Sequence, residues 1–598
     1  VGLALQSGDE YGDGVVSKPA SAVARIAAAF KNAPFIGRFA TATEIGANAI
    51  SGIARLFGFT NVPVLSNAEP VKVLCFPNLS TVDVGFPVEK LTLDSKNELS
   101  VDPTVLGMAS EDELTIGSIV QRESYLTTAT WATSNNVDDI LFTSAVGPSL
   151  YDNDGATNSK LYMTPVCMAA ALFNEWRGDL IFRFRFICSQ YHKGRVRFSF
   201  DPSGYAGDNL TNDVNSTNVV FTQIVDLGKD SDIEVRVPYQ QAASWLNTSQ
   251  ALTSGNIQWS TSLSPTFLYT QQYFNGTITL RVLTILTAPV ATSSISILVS
   301  VRAADNFELA NPINPPQNYS YFAPQSGEVR SEPINEDMQM VVAGSQVHQP
   351  CPDRYRVNFG ECITSFRAVM RRMCLSYVYL TNTTNSNPIT ILKQTQGKYP
   401  LYYGFDPNGI HTGKGIVTTG TTYPINFVNV LPYHWIAPAY IAQRGSVNWS
   451  FNVDSQSTIA SIKMIRTPLL NSFSNTVLSQ TIGSVSSNAS YYRLNSDPGC
   501  SGQALTNQYT QAGLNVQLPN YGPYRWQSTA PNSVSAPYGV DYANQDLSTL
   551  EVDLANTPAV ESTNTKIWKY VGIGTDWSCH FFLNAPTLYE YSAQSVPV

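Results

Sequence analysis

Few residues of this chain sit at spacings that support catalysis. Histidine moves protons most readily near neutral pH. It occurs five times, and the five lie far apart without matched nucleophilic or acidic partners. No Gly-x-Ser-x-Gly elbow is present to hold a serine on a strained turn. Gly409-Ile410-His411-Thr412-Gly413-Lys414-Gly415 approximates a phosphate loop. That loop needs four residues between its glycines and a Ser or Thr after its lysine, so that amides and a hydroxyl meet phosphate and metal. Here three intervene and Gly415 follows the lysine, so it reads as a flexible loop. The eight cysteines contain no Cys-x-x-Cys, and none stands at zinc-finger distance from a histidine. They read as free thiols of a reducing compartment. The expectation is a protein that is not an enzyme, with no catalytic residues, no metal and no cofactor.

The clearest chemical signal is one done to the chain. Gln6-Ser7-Gly8-Asp9 and Gln325-Ser326-Gly327-Glu328 repeat a Gln-Ser-Gly-acidic pattern, each at the edge of a compositional block. They read as cleavage signals for one protease, cutting between Gln6 and Ser7 and between Gln325 and Ser326. The first residue is Val rather than Met, which fits excision from something longer.

The elements around these signals come in pairs. Arg177-Gly178-Asp179 leads into Leu180, Phe182, Phe184 and Phe186, with Arg183 and Arg185 between them. Period-two alternation predicts a strand with one buried and one wet face. Arg444-Gly445-Ser446 leads in the same way into Val447, Trp449, Phe451 and Val453. The Arg-Gly-Asp tripeptide therefore reads as a shared strand start rather than an integrin ligand. Ile233–Val237 before Pro238 and Leu514–Leu518 before Pro519 form a second pair. Each is a strand ended by a residue that cannot donate to a ladder. Asp305-Asn306-Phe307 before Pro312 and Asp576-Trp577 before Pro586 form a third. Ordered signals at elastic spacing predict two divergent β-sandwiches with variable loops, since a solenoid would need a fixed period.

Composition agrees. Only 14% of the 598 residues are charged, while Tyr is 30, Phe 27, Gly 38 and Pro 35. That is a low-charge, turn-rich, aromatic chain suited to all-β architecture with much buried or interfacial surface. The net charge of −9 excludes a protein that holds nucleic acid with its whole surface. No apolar run approaches the 18 residues of a spanning helix.

In chain order, residues 1–59 are small, Ala/Gly-rich and weakly basic. Val23, Ile26, Ala27 and Phe30 fall on one helical face, and Ile45, Ala49, Ile53, Leu56 and Phe57 nearly do. Two short amphipathic helices follow, either packed on a neighbour or lying on a membrane. Residues 60–112 read as an extended, Pro-punctuated arm. Residues 113–312 form the first sandwich, opening with a short helix within Leu114–Tyr125. Its Arg-led strand turns at Tyr191-His192-Lys193-Gly194 and returns as Val196, Phe198 and Phe200, a predicted hairpin. Lys193, Arg195 and Arg197 are expected on a wet face or at subunit contacts, and Asp138-Asp139 in a solvated turn. Residues 313–355 are a linker and arm carrying the second cleavage signal. Residues 356–598 form the second sandwich, with Ile363, Phe366, Met370 and Met373 marking its opening helix.

With these residues in place, the chain resembles the capsid polyproteins of picorna-like viruses (order Picornavirales), above all those of insect dicistroviruses and algal or diatom marnaviruses. Phe173-Asn174-Glu175-Trp176-Arg177-Gly178-Asp179-Leu180 followed by His192-Lys193-Gly194-Arg195 is similar to a signature of that coat domain. So is Val357-Asn358-Phe359-Gly360-Glu361 through Arg371-Arg372. The resemblance implies two eight-stranded antiparallel jelly rolls in tandem. It implies that 1–59 corresponds to the small internal capsid protein, and that 60–325 and 326–598 correspond to two of three large coat proteins. The third jelly roll would come from a separate chain. Further implications are a pseudo-T=3 icosahedral shell around an RNA genome held weakly and without sequence preference, residence in the virion, and assembly in host cytoplasm. The N-terminal helices, through Val23, Ile26, Phe30, Ile45, Ile53, Leu56 and Phe57, would act on a host membrane, and an unidentified receptor would be engaged. Relatives release the small protein by a late cut, which here would fall at Phe57-Gly58. An Asp-Asp-Phe triplet accompanies that cut in dicistroviruses; this chain lacks it, and Asp138-Asp139 is the nearest pair. A rival is a tandem β-sandwich carbohydrate-binding protein, with aromatic loops stacking on sugars. A β-sandwich glycosidase would need two carboxylates about 5–9 Å apart in a cleft.

Overall fold

A computed structural model describes residues 88–590 apart from several loops, among them 205–219, 263–271, 322–339, 344–353, 406–416 and 530–546. Gln6, Ser7, the stripe from Val23 to Phe57, Gly58, Gln325, Ser326 and the Gly409–Gly415 loop lie outside the described residues. The described residues are mostly strand.

Strand β1 spans Glu89–Lys90. Helix α1 (Ile116–Val120) follows, with the Thr115 hydroxyl accepting the Ser118 N–H at 3.3 Å as its cap. Then come β2 (Ser124–Ala132), β3 (Ile140–Ala145), β4 (Lys160–Met163), β5 (Leu180–Ile187), β6 (Lys193–Asp201), β7 (Phe221–Asp226), β8 (Asp232–Val237), β9 (Thr277–Thr287) and β10 (Ser294–Ala303). Two antiparallel sheets result, with strand orders β8–β5–β10–β2 and β3–β9–β6–β7. They face each other across the alternating apolar rows. The Phe184 ring lies 5.7 Å from Phe198 and 5.8 Å from Phe142, so β5 of one sheet packs on β6 and β3 of the other.

This corrects two expectations. Strands β5 and β6 follow each other in sequence but are not a hairpin, since each pairs only within its own sheet. Local alternation cannot separate the two cases; burial does, because both apolar rows point into one core from opposite sides. The second correction concerns the wet faces. Arg183 is 7% exposed and pairs with Asp232 at 2.6 Å and Glu123 at 2.9 Å. Arg197 is 6% exposed and pairs with Asp138 at 2.6 Å. Arg195 does stay exposed, against Asp226.

Strands β11 (Tyr319–Tyr321) and β12 (Met340–Val342) lie between the halves in sequence. The second half opens with α2 (Phe366–Arg371), whose Phe366, Val369 and Met370 are buried. It continues with β13 (Cys374–Thr383), β14 (Ile389–Gln396), β15 (Val447–Ser455), β16 (Thr458–Arg466), β17 (Gln503–Thr506), β18 (Gly513–Leu518), β19 (Ser548–Ala555) and β20 (Thr563–Ile573). The sheets read β18–β15–β20–β13 and β14–β19–β16–β17, the same order as in the first half. The matching extends to single residues. Gly178 (φ 115°) precedes β5 and approaches the backbone of Asn306 and Phe307. Gly445 (φ 118°) precedes β15 and approaches Asp576 and Trp577. Neither site has room for a Cβ, which is why glycine recurs there. Trp131, Trp176, Trp449 and Trp577 are fully buried, each worth about 2–3 kcal/mol against exposure.

Candidate functional site

The structure concentrates its unusual features where the two halves meet. Each half has one sheet ending at an edge strand, β8 or β18. A bare edge exposes unpaired N–H and C=O groups. Each edge is completed by a strand from the other half's arm. Residues Glu89 and Lys90 of β1 run parallel to β18, opposite Val516 and Gln517, and the Leu91 N–H reaches the Gln517 carbonyl at 3.1 Å. Reciprocally, Met340, Val341 and Val342 of β12 run parallel to β8, opposite Glu234, Val235 and Arg236. The Ala343 N–H continues the ladder to the Arg236 carbonyl at 2.8 Å. Leu91 and Ala343 are both buried, so each short strand is pinned by an apolar residue at its end.

A third pairing joins the tails. Strand β21 (Leu588–Glu590) lies between β11 and β4, so the C-terminal region of the second half is held by one segment of the first half and one from the stretch between the halves. It lies beyond Pro586, the last strand signal noted in the sequence.

Polar contacts fix the register of the seam. The Ile116 N–H donates to the Thr364 carbonyl at 2.9 Å and the Phe366 N–H to Leu114 at 3.1 Å, tying the starts of α1 and α2 together. Phe173 packs on Phe366 with ring centres 6.2 Å apart, and the Trp435 indole N–H donates to the Met168 carbonyl at 2.7 Å. Arg367 forks onto Asp112, with Nη2 at 2.9 Å and Nε at 3.3 Å from the two carboxylate oxygens, and also bonds the Trp577 carbonyl. Burial would raise the Asp112 carboxyl, but the hydrogen bond and charge of Arg367, joined by the Leu114 N–H, outweigh it and hold the group below its ordinary value. Glu113 accepts the Phe581 N–H at 2.6 Å, where Phe581 takes a left-handed φ of 62°. His580 shares a hydrogen bond with Ser578 at 2.8 Å. Burial, reinforced by the charges of Arg367 and Arg444, pushes its imidazole down to about 4. It is therefore a neutral packing residue at pH 7.

The remaining expected residues fall elsewhere. Arg177 and Asp179 are buried; Asp179 accepts the Tyr239 N–H at 2.9 Å and Arg236 Nε at 2.8 Å, so the tripeptide is closed to a receptor. Asp138 and Asp139 do occupy the turn between β2 and β3, but it is not a solvated one: they are 5% and 8% exposed. Asp138 takes a φ of 70° and is held by Arg197, while Asp139 accepts the Asn136 N–H at 2.8 Å. Among the described residues no cluster of His, Cys, Asp and Glu is arranged to hold a metal. The exchanged strands were missed in sequence because two- and three-residue strands carry no period.

The chain is similar to several known proteins. Residues 5–59 match the family model described as Cricket paralysis virus, VP4. The structural polyprotein of Cricket paralysis virus is 27% identical over 301 residues, which is 50% of this chain and 32% of that protein. That of Acute bee paralysis virus is 24% identical over 329 residues, 49% of this chain and 35% of that protein. The chain thus spans about a third of these relatives. Among solved structures, a marine algae virus of the order Picornavirales has a chain 29% identical at a TM-score of 0.36, covering 42% of this chain and 95% of its own. A Triatoma virus empty capsid gives 26%, 0.32, 43% and 94%. The chain is a relative of the capsid polyproteins of picorna-like viruses.

Proposed function

We propose that this chain is a joined pair of coat subunits, each a jelly roll, that builds a closed icosahedral shell together with a third coat protein from a separate chain. The observation that carries this reading is the reciprocal strand exchange between two halves of identical strand order. A sandwich that completes its edge with a strand from a neighbour is stable as part of an assembly rather than alone. The pseudo-T=3 arrangement, the enclosed RNA genome, residence in the virion and assembly in host cytoplasm belong to the same reading.

Within it, residues 1–59 form an internal segment released against a host membrane, 60–112 an arm, 113–312 and 356–598 the two coat domains, and 313–355 the junction. Cuts between Gln6 and Ser7, between Gln325 and Ser326, and at Phe57-Gly58 separate the parts. Asp138 and Asp139 are the carboxylates to test for the last cut. Their double substitution to Asn leaves that cut intact if they play no part.

Electron microscopy of the chain expressed with the third coat protein tests the proposal. Closed particles whose fragments begin at Ser7 and Ser326 by mass spectrometry are expected. A well-behaved monomer under the same conditions refutes it, and is what a carbohydrate-binding protein would give.

A further inference from the structure

Lys569 occupies a place in β20 that the alternation reserves for apolar side chains. Ile567, Val571 and Ile573 are its buried neighbours on that face. It sits in register with Tyr377 of β13 on one side and Phe451 of β15 on the other. The residue is 3% exposed. Its Nζ lies 4.5 Å from the Trp449 ring centre, 5.7 Å from Tyr377 and 5.8 Å from Phe451. Its hydrogen-bond partner among the described residues is Gln396 Oε1, at 2.7 Å on the facing sheet, which also accepts the Tyr377 hydroxyl at 2.9 Å. An ammonium carries three donors, so two find no partner among the described residues. Three ring faces attract a cation but do not neutralise it.

No carboxylate among the described residues pairs with Lys569. The groups facing it are the Tyr377 hydroxyl from β13, the uncharged Gln396 amide from β14, and the Trp449 and Phe451 rings from β15. Burial drives Tyr377 ionisation well above its usual range, so that hydroxyl keeps its proton. Among the described groups that face it, any charge change therefore belongs to Lys569.

We propose that Lys569 makes the packing of the second half proton-responsive: the sandwich closes best around the neutral amine and loosens when the ammonium forms. Burial pushes the ammonium down to about 7 from 10.5. The unfolded chain then holds a proton that the folded chain lacks between those two values. Stability therefore rises with pH across that window and is flat below it. The inference rests on the fold of the second half and not on assembly, so the two proposals fail separately.

The test is equilibrium unfolding of the full chain from pH 6 to 10 beside Lys569→Met, which keeps the length and removes the charge. The wild-type folding constant should gain about tenfold per pH unit relative to Lys569→Met between pH 7 and 10, with no change in that ratio below pH 6.5. Lys569→Gln should behave as Lys569→Met does, and it decides the matter if Lys569→Met fails to fold. If neither variant folds, hydrogen exchange of wild-type residues 563–573, corrected for intrinsic rates, decides: protection should increase from pH 7 to 9. A wild-type profile parallel to that of the variants, or protection independent of pH, overturns the proposal.

Discussion

Replacing Gly178 or Gly445 by alanine is the sharpest test of the repeated architecture. A Cβ at Gly178 would stand 2.5 Å from the Asn306 carbonyl oxygen and 2.5 Å from Phe307 Cα; at Gly445 it would stand 2.3 Å from Trp577 Cα. The obstacles are backbone atoms, which no rotamer change can move aside. A non-glycine residue held at such a φ costs about 1–3 kcal/mol, and forced overpacking adds about 1–3 kcal/mol, so about 4 kcal/mol is expected at each site. The chain contains its own controls. Gly107 and Gly360 also have positive φ, 80° and 76°, but a Cβ there meets nothing within 4 Å. Alanine at those two positions, which lie near the ordinary left-handed region, should cost only the lower end of the conformational part, about 1 kcal/mol. Scanning calorimetry reads the difference. For domains of this size about 1 kcal/mol moves Tm by about 2–4 °C, so Gly178→Ala and Gly445→Ala should fall by about 8–16 °C and the controls by about 2–4 °C. Equal shifts across all four variants, or a large shift at only one of the first two, would refute the equivalence of the two strand starts.

Further outcomes follow from the seam and its charges. Ala343→Pro removes the N–H bonded to Arg236 and should weaken association of the severed halves by about 1–3 kcal/mol, measurable by dilution and size exclusion. The folded Asp112 carboxyl lies below its unfolded value of 3.8, so its contribution is present above that pH and lost as pH falls through the folded value. Asp112→Asn should therefore flatten the acid limb of the stability profile below about pH 4. His580 works on a different interval. Its folded value near 4 lies below the unfolded 6.5, so stability drops as pH falls from 6.5 to 4, by at most about 3 kcal/mol. His580→Gln should remove that drop in a pH-resolved denaturation series.

Much of this architecture was legible because strands β5, β8, β15 and β18 carry alternation, and β8 and β18 end where Pro238 and Pro519 forbid further pairing. The starts of α1 and α2 were legible for a similar reason, as Ile116, Ile119, Phe366 and Met370 recur at helical spacing. Sheet membership was not legible, since alternation says which face of a strand is apolar and not which neighbour it bonds. Arg183 and Arg197 also misled: their positions between apolar residues mark the outer faces of the sheets, yet both are buried and their guanidinium groups are satisfied by Asp232, Glu123 and Asp138. The exchanged strands β1 and β12 left no trace because pairing along two or three residues depends on the partner edge. Lys569 did leave one. A lysine in the apolar register of Ile567, Val571 and Ile573 breaks the pattern in plain sight.

Exchanged strands, rather than the connecting peptide, hold the two halves to each other. Cutting the chain at a protease site inserted within residues 326–339 and weighing the product by native mass spectrometry tests this directly. The two fragments should travel together as one complex close to the 65.3 kDa of the intact chain. Two separate, folded halves would contradict it.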